Sequence, residues 1–218
     1  MRILALTDIH GAYKKAEEII RKEPADILII GGDLTTVGSV KEVENAISRF
    51  QSLSHRLLCV AGNMDLPQHD DVFTKLGVSI NGCGMEIDGV GFFGVSAAPL
   101  SPLSTPYEIT EEEMAKRITT GFKQIEKCSV SFFVPHAPPY GTRVDIIHAG
   151  YHAGSTAVRD FIDDEQPDLV ICGHIHEGRG EDLLGKSKIV NSGAACDGYY
   201  SVIEVNQEIR ISFCRLPL

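Results

Sequence analysis

The sequence predicts an α/β protein that contains either one mixed β-sheet or two sheets packed between helices. Short apolar runs alternate with amphipathic segments in the N-terminal part of the chain, which indicates parallel strands covered on both faces. Later runs are joined by hairpin-type turns, which indicates antiparallel strands as well. The chain has 218 residues, 43% of them hydrophobic and 23% charged, and this ordinary globular composition predicts a single domain over residues 1–218.

The N-terminal elements follow a strand–helix–strand order. Residues 2–7 are apolar and indicate a buried strand. Residues 12–22 keep apolar side chains at helical spacing, and Pro24 ends the predicted helix. The next elements are predicted as a strand at 26–30, a helix at about 40–52 and a strand at 57–61.

The pattern then changes to shorter and more varied elements. Residues 78–97 hold two short strands separated by Asp88 and Gly89, a pair typical of a hairpin turn. Thr110 and Glu113 predict a capping box at the start of the next helix. The elements that follow the hairpin are predicted as a loop over 98–110, a helix over 110–127, a strand over 130–135, a helix over 155–165, a strand over 168–172 and three strands within 187–215.

Charge and composition exclude several classes of function. The formal charge of −10, from 30 acidic and 20 basic residues, argues against binding to extended nucleic acid, since phosphate contacts need clustered Lys and Arg. No run has the apolar length that crosses a bilayer, and no secretory leader pattern is present, so we expect a cytoplasmic protein without membrane contact.

The six cysteines form no C-x-x-C pair and are interpreted as reduced core residues rather than ligands of a structural zinc. A homodimer is expected only from the general frequency of such assemblies.

Four polar clusters, each at the end of an apolar run, carry most of the functional information. They are Asp8-Ile9-His10, Gly32-Asp33, Gly62-Asn63 and Gly173-His174-Ile175-His176, and a lone His136 follows a further apolar run. In open α/β sheets, ligands gather at the carboxyl ends of strands. Because residues i and i+2 of an extended chain face the same side, Asp8 and His10 can reach one ion together. A carboxylate such as that of Asp33 can bridge two ions.

Each cluster also has an ordinary structural interpretation. Asp8 could cap the following helix, and Asp33 and Asn63 could be turn residues after glycine. His136 alone could be a hydrogen-bonded histidine without a metal. The order of the clusters, together with the two imidazoles that follow Gly173, favours a two-metal hydrolytic site over these separate readings.

The series D-x-H, G-D, G-N-x-D, H and G-H-x-H, in this order, resembles the calcineurin-like metallophosphoesterase superfamily, and its small single-domain prokaryotic members above all. The resemblance extends from Asp8 to the loop at Asn191, Ser192 and Gly193. It implies two mixed β-sheets packed face to face and flanked by helices, a four-layer α-β-β-α sandwich. It also implies a metal-dependent phosphoric ester hydrolase that acts on a small phosphoester, with a hydroxide between two metal ions attacking phosphorus.

The resemblance assigns the metal ligands residue by residue. It implies that the first ion is held by Asp8, His10 and His176. It implies that Asp33 bridges both ions and that the second ion is held by Asn63, His136 and His174. The resemblance implies two divalent ions, since members of the family use Mn, Fe, Zn or Ni. Mixed oxygen and nitrogen ligands do not choose among these four metals. Asp33 and Asn63 are accordingly candidate catalytic residues.

One position departs from the family pattern. Many members carry a His directly after the Asn, where it resembles a general acid for the leaving group, and this chain has Met64 there. Methionine cannot donate a proton, and general acid help is typically worth about 10²–10⁴-fold in rate. We therefore expect phosphodiesterase activity on activated or anhydride-like substrates, such as aryl esters or nucleotide phosphates, and weak activity on alkyl monoesters. The alternative is a catalytically weak metal-binding or scaffold protein with the same fold. A retromer subunit, which resembles this superfamily, is an example of such a scaffold.

Residues outside the ligand set could complete the site. His148 and His152 lie in a loop that is expected to cover it, and either could replace the missing acid or be an exposed loop histidine. Tyr140 and Arg143 could contact the substrate phosphate, or provide packing and a solvated charge.

Three more residues have expected roles around the ligands. Asn63 is a candidate contact for the substrate as well as for a metal ion. Asp65 is expected to orient a ligand or a loop from behind. Asn191 has the same expected role, by resemblance to the loop that closes the family's site.

Overall fold

The computed structural model describes residues 1–217, and the chain alternates strands and helices throughout this range. The strands are β1 (Arg2–Leu6), β2 (Ile27–Gly31), β3 (Leu57–Val60), β4 (Gly84–Ile87), β5 (Val90–Val95), β6 (Ala98–Pro99), β7 (Glu108–Ile109), β8 (Val130–Pro135), β9 (Leu169–Cys172), β10 (Gly180–Leu184), β11 (Ser187–Asn191), β12 (Tyr199–Val205) and β13 (Ile209–Arg215). The α-helices are α1 (Tyr13–Lys22), α2 (Val40–Leu53), α3 (Gln68–Lys75), α4 (Glu111–Phe122) and α5 (Thr156–Glu165).

The strands form two large sheets and one short pair. The first sheet has the order β13-β12-β1-β2-β3, in which β1, β2 and β3 are parallel and β12 and β13 are antiparallel to their neighbours. The second sheet has the order β10-β11-β9-β8-β5-β4, with parallel strands in the centre and an antiparallel strand at each edge. Both sheets are therefore mixed, and β6 pairs only with β7.

Side-chain alternation along the strands divides the core into three layers. Ile3 and Ala5 of β1 point between the two sheets, where they share a buried cluster with Phe92 and Phe132. Leu4 points the other way and packs with residues of α1 and α2. A third cluster lies between the second sheet and helices α4 and α5. The order of layers is helix, sheet, sheet, helix, so the predicted four-layer architecture is confirmed.

Several local predictions are confirmed and others are corrected. The hairpin at Asp88 and Gly89 joins β4 to β5, with both residues in the left-handed region at φ of 51° and 83°. The sequence reading missed α3, a short helix whose N-cap, Pro67, offers no side-chain acceptor. It also missed β10, a polar edge strand without apolar alternation. Helix α4 ends at Phe122, earlier than predicted, and residues 123–127 form turns instead of a further helical turn.

The predicted capping box of α4 forms only in part. The Thr110 side chain accepts a hydrogen bond from the Glu113 backbone N–H at 3.2 Å, which is the expected N-cap contact. The Glu113 carboxylate does not return to Thr110 and instead accepts from Arg117 Nε at 2.9 Å.

None of the helices within residues 1–217 is both long enough and apolar enough to cross a membrane.

Candidate metal centre

Five loops that follow strands of the two sheets meet in one place. The loop after β1 is tied to the loop after β2, because the Asp8 backbone N–H donates to the Gly32 carbonyl at 3.0 Å. The loop after β9 is tied to the loop after β8 by a bond of 3.0 Å from the Gly173 N–H to the His136 carbonyl. The two sheets meet here as well, because the His174 N–H donates to Asp8 Oδ1 at 3.1 Å. The carboxyl ends of parallel strands from both sheets therefore adjoin.

One group of potential ligands consists of Asp8, His10 and His176. Their donor atoms all lie within 4.8 Å of one another. His176 Nε2 is 3.5 Å from Asp8 Oδ1 and 3.4 Å from His10 Nε2. Two imidazole nitrogens and a carboxylate oxygen directed at one point are a donor set that suits borderline divalent ions. The three residues assigned to the first ion are thus brought together.

The remaining predicted ligands lie directly beside this group. Asn63 Oδ1 is 3.0 Å from His136 Nε2 and 2.8 Å from His174 Nδ1. Asp33 Oδ2 is 3.5 Å from His136 Nε2 and 3.7 Å from His10 Nε2. The Asp33 carboxylate therefore lies between the two sets of imidazoles, which is the position that a bridging ligand needs. Asp33 and His136 also form a second possible metal-binding group with Asp8.

Contacts behind the rings fix which nitrogen faces the centre. His136 Nδ1 is 2.9 Å from the Gly31 carbonyl and donates to it, so Nε2 is the nitrogen that faces the centre and can bind a metal once its own proton has left. His10 Nδ1 is 3.1 Å from Thr36 Oγ1, which leaves its Nε2 facing His176. The sequence reading did not anticipate Thr36, because a threonine in a loop gives no signal of its own.

Four of the predicted ligands have a strained backbone. Asp8, His10, Asp33 and His174 have φ of 55°, 47°, 49° and 67°, in the left-handed region that non-glycine residues rarely adopt. Such residues cost ~1–3 kcal/mol each and are typical of functional sites, where the surrounding structure holds them. The same backbone bends aim these side chains inward from the ends of their strands.

The loops approach so closely that side chains would not fit at two glycines. A Cβ at Gly62 would collide with Asp33 Oδ1, and a Cβ at Gly173 would collide with Asp8 Oδ2. This close approach brings several buried carboxylate, amide and imidazole donors to one location. The donor set and its geometry therefore fit a pair of divalent cations.

The electrostatics of the cluster favour a cation. Burial favours the neutral ring of His136, but the carboxylates of Asp33 and Asp8 outweigh it and raise the pKa of His136 to about 9. Burial would raise the pKa of Asp8, but the hydrogen bond from His176 and the charge of His136 hold it well below its usual range. Burial and the charge of His136 lower the pKa of His174 to about 4. Without a metal, a proton on His136 balances the carboxylates, and a cation can take its place.

Asp65 lies behind the ligands rather than among them. Its fully buried carboxylate accepts hydrogen bonds from the backbone N–H groups of Gly62 at 2.9 Å, Leu34 at 3.1 Å and Thr35 at 2.9 Å. It therefore joins the loop that carries Asp33 to the loop that carries Asn63. This geometry supports the expected orienting role.

Asn191 has a similar position on the other side of the centre. Its Nδ2 donates to the Ile175 carbonyl at 2.8 Å, and its Oδ1 accepts from the Gly193 N–H at 2.9 Å. Asn191 thus contacts the backbone between His174 and His176 and fixes the loop that presents both rings.

An open cleft of about 830 Å³ leads to the centre, and both Tyr140 and His152 line it. His152 Nδ1 donates to Asp145 Oδ1 over 2.7 Å, and this carboxylate is fully buried. Asp145 also accepts from the backbone N–H groups of Gly141 and Gly154 at 3.0 and 3.1 Å. The sequence reading missed Asp145, since nothing in its local sequence shows that the loop folds back onto it.

The other two candidates in this loop lie outside the cleft. The exposed Arg143 is paired with Asp182, with Nη2 and Oδ1 3.3 Å apart, and does not line the cleft. His148 is also exposed and faces Glu177, with Nε2 and Oε1 3.5 Å apart. These positions give no support to a phosphate contact by Arg143 or to acid catalysis by His148. Their ordinary readings, a solvated charge and an exposed loop histidine, account for both.

Known proteins resemble this chain in sequence and in fold. A family model described as calcineurin-like phosphoesterase matches residues 1–178. An uncharacterised protein of Methanocaldococcus jannaschii is 33% identical over 195 residues, which cover 88% of this chain and 87% of that protein. A crystal structure of a Thermus thermophilus protein matches with a TM-score of 0.76 at 17% identity, over 97% of both chains. A dimetal phosphatase from Danio rerio matches with a TM-score of 0.72 at 10% identity, over 98% of this chain and 95% of that one.

The two structural matches have low sequence identity and show the fold alone. The family model, in contrast, spans every predicted metal ligand from Asp8 to His176. The predicted family is therefore confirmed, and this chain belongs to the calcineurin-like phosphoesterase family.

Proposed function

We propose that this protein hydrolyses activated phosphoesters, and phosphodiesters in particular, at a dinuclear metal centre. The observation that carries the proposal is the convergence of all seven predicted ligands at one end of an open cleft, with Asp33 between the two sets of imidazoles. Family membership supports a phosphoesterase. One of the solved structures with this fold is described as a dimetal phosphatase, which supports a centre that holds two metal ions.

The chain's own residues have distinct tasks in this reaction. Two divalent cations, when bound, would supply positive charge to the phosphoryl oxygens and acidify a water. Asp33 would balance the charge of both ions, and the Met64 backbone N–H steadies its carboxylate by donating to Oδ1 at 2.7 Å. His136 presents Nε2 to the centre because Nδ1 is held by the Gly31 carbonyl.

The preference for activated esters follows from Met64. Its side chain lines the cleft at the position where many family members have a proton donor, and a thioether cannot donate. A leaving group of low pKa, such as an aryl oxide, departs without a proton. An alkoxide needs one, so simple alkyl monoesters should react more slowly.

His152 is our candidate for a partial replacement acid, which would reduce the preference for activated esters without removing it. It lines the same cleft, and the hydrogen bond from its Nδ1 to Asp145 leaves Nε2 as the nitrogen that can donate. In the protonated ring, Nε2 would give its proton to the leaving oxygen as the bond from phosphorus to that oxygen breaks. Asp145 would act as a positioning residue, since its buried carboxylate fixes the orientation of the imidazole.

A second candidate function is that of a metal-binding scaffold with little catalysis, and Met64 is the observation that favours it. Metal analysis separates the two functions when it is combined with a turnover assay. Two bound ions with turnover of an aryl diester support the enzyme. Two bound ions without turnover of any ester support the scaffold.

The test is an activity screen supplemented in turn with Mn, Fe, Zn and Ni salts. We expect bis(p-nitrophenyl) phosphate to be hydrolysed faster than an alkyl monoester such as glycerol phosphate. Asp33→Ala should abolish this turnover, whereas Asp71→Ala, at an exposed aspartate outside the site, should retain it. Equal rates on the diester and the monoester would contradict the preference for activated diesters.

A further inference from the structure

We infer that the substrate carries an uncharged apolar group next to its phosphoryl group, and that the apolar lining of the cleft binds this group. The inference rests on the proposed phosphoester hydrolysis and narrows its substrate class. The large apolar residues that line the cleft from two loops, here called the apolar wall, are Pro99, Leu100, Pro102, Leu103, Tyr140 and Ile147. It belongs to the same cleft as the ligands His10, Asp33 and His174.

The apolar wall exposes large side chains that would normally be buried. Leu100 is 65% exposed and Leu103 is 81% exposed, whereas many other large apolar side chains within residues 1–217 are buried. Isolated exposed leucines are common, but an apolar patch in a cleft is typical of a ligand-binding surface. Because this patch continues into the metal centre, its natural occupant is the part of the substrate that does not react.

The loop that carries these leucines is rigidly folded. The Glu108 carboxylate accepts hydrogen bonds from the Ser101 N–H at 3.0 Å and from the Thr105 N–H at 2.8 Å, and it also accepts from both hydroxyls. Burial acts against ionisation of Glu108, but these hydrogen bonds outweigh it and lower its pKa to about 2. The Tyr107 N–H donates to the Asn63 carbonyl at 2.9 Å, which ties the loop to a predicted ligand. The leucines are therefore held outward by the loop and do not collapse onto the core.

The charges of the cleft argue against a polyanionic substrate. Among the described residues 1–217 that line it, none is Lys or Arg, whereas Glu111 and Glu177 contribute carboxylates. A second phosphate, as in a nucleotide anhydride, would find no lysine or arginine among these lining residues. An alkyl or aryl group would find the apolar wall. Of the activated esters considered above, the aryl and alkyl-aryl esters therefore fit this cleft better than nucleotide anhydrides.

Two substrates with the same leaving group test this inference. Methyl p-nitrophenyl phosphate and hexyl p-nitrophenyl phosphate both release p-nitrophenolate and differ only in the group that does not react. Each methylene buried against the wall should favour binding by up to about fourfold. We expect the hexyl ester to have a KM at least about tenfold below that of the methyl ester, since several methylenes can reach the wall.

Substitutions at the wall should remove this difference. Leu100→Ser and Leu103→Ser should each bring the two KM values closer together. Their side chains are exposed, so the substitutions remove no core packing. Leu183→Ser is the matched control, because Leu183 is 59% exposed on β10 and does not line the cleft. The control should keep the full preference for the hexyl ester.

Calorimetric binding of methylphosphonate and hexylphosphonate to the metal-loaded protein gives a readout without turnover. If hexylphosphonate binds more tightly than methylphosphonate and Leu100→Ser removes the difference, the result supports the apolar wall. The same binding result without hydrolysis of any ester overturns the proposed hydrolase activity and leaves the apolar wall standing. Hydrolysis with equal KM values for both esters overturns the inference and leaves the hydrolase standing. The inference is also overturned if the serine variants convert a dimer to a monomer without any dependence on chain length, because the wall is then a subunit interface.

Discussion

His152 and Asp145 form a hydrogen-bonded pair in which the carboxylate is fully buried and the imidazole reaches the cleft. The bond from Nδ1 to Oδ1 measures 2.7 Å. Such a pair fixes the tautomer and the direction of the ring, which a freely rotating loop histidine would lack. His148, four residues earlier, has no comparable partner within the protein core and faces Glu177 at the surface.

We expect His152→Gln to slow the hydrolysis of alkyl esters by about 10²-fold and that of p-nitrophenyl esters far less. Proton donation matters only when the leaving oxygen needs a proton, so the measurement is the dependence of kcat on the pKa of the leaving group. His148→Gln is the control and should leave this dependence unchanged. An equal loss on all esters after His152→Gln would show that the residue does not act as the acid.

Met64→His should raise the turnover of alkyl monoesters relative to aryl diesters, by up to about 10²-fold, because it introduces a proton donor into the cleft. Met64→Leu keeps an apolar side chain of similar volume and should leave the ratio of the two rates as it is. The measurement is kcat for both substrates in each variant. No gain on the alkyl monoester would argue that this position does not face the leaving group.

The affinity of the metal-free protein for divalent ions should rise with pH by at least about tenfold per unit between pH 7 and 9, and level off above that range, because His136 and any protonated His176 must each lose a proton. The pKa of His136 is raised to about 9, so below that pH a proton must leave before the ring can bind a metal. Asp8 does not add to this slope, because its lowered pKa keeps it ionised throughout. Apparent dissociation constants measured against a competing chelator check the prediction, and a flat profile would contradict it.

Asp65→Ala should lower the free energy of unfolding by about 3 kcal/mol or more. The change leaves the buried N–H groups of Gly62, Leu34 and Thr35 without their acceptor, and each such loss typically costs ~1–3 kcal/mol. Urea denaturation of the metal-free protein measures the effect. Asp71→Ala, at an exposed position, serves as the reference and should change stability little. A loss as small as that of the reference would mean that Asp65 does not hold the two loops.

The strand ends indicated where Asp8, Asp33 and His136 gather, because parallel strands tend to carry sites at their carboxyl ends. The role of each residue as a ligand came from the resemblance to the family, since each of them alone also has an ordinary structural interpretation. The arrangement of the sheets was less accessible. Whether the strands formed one sheet or two stayed open from periodicity alone, because pairing between distant strands leaves no local pattern.

Side-chain directions in the loops could not be read from the sequence. Arg143 and His152 lie in the same loop, and the sequence made one a candidate for phosphate contact and the other a candidate for the acid. Their positions differ because Arg143 is drawn to Asp182 on an edge strand that was not predicted, while His152 is held by Asp145. Both partners depend on how the loop folds over the second sheet, and that information lies in tertiary contacts.

The carboxylate clamp at Glu108 has a consequence for how this protein could diversify. Ser101, Thr105 and Glu108 fix the backbone on both sides of the loop tip, so the exposed side chain at Leu103 can change without altering the path of the loop. Substitutions at this one position would then change which esters are accepted while the metal ligands stay in place.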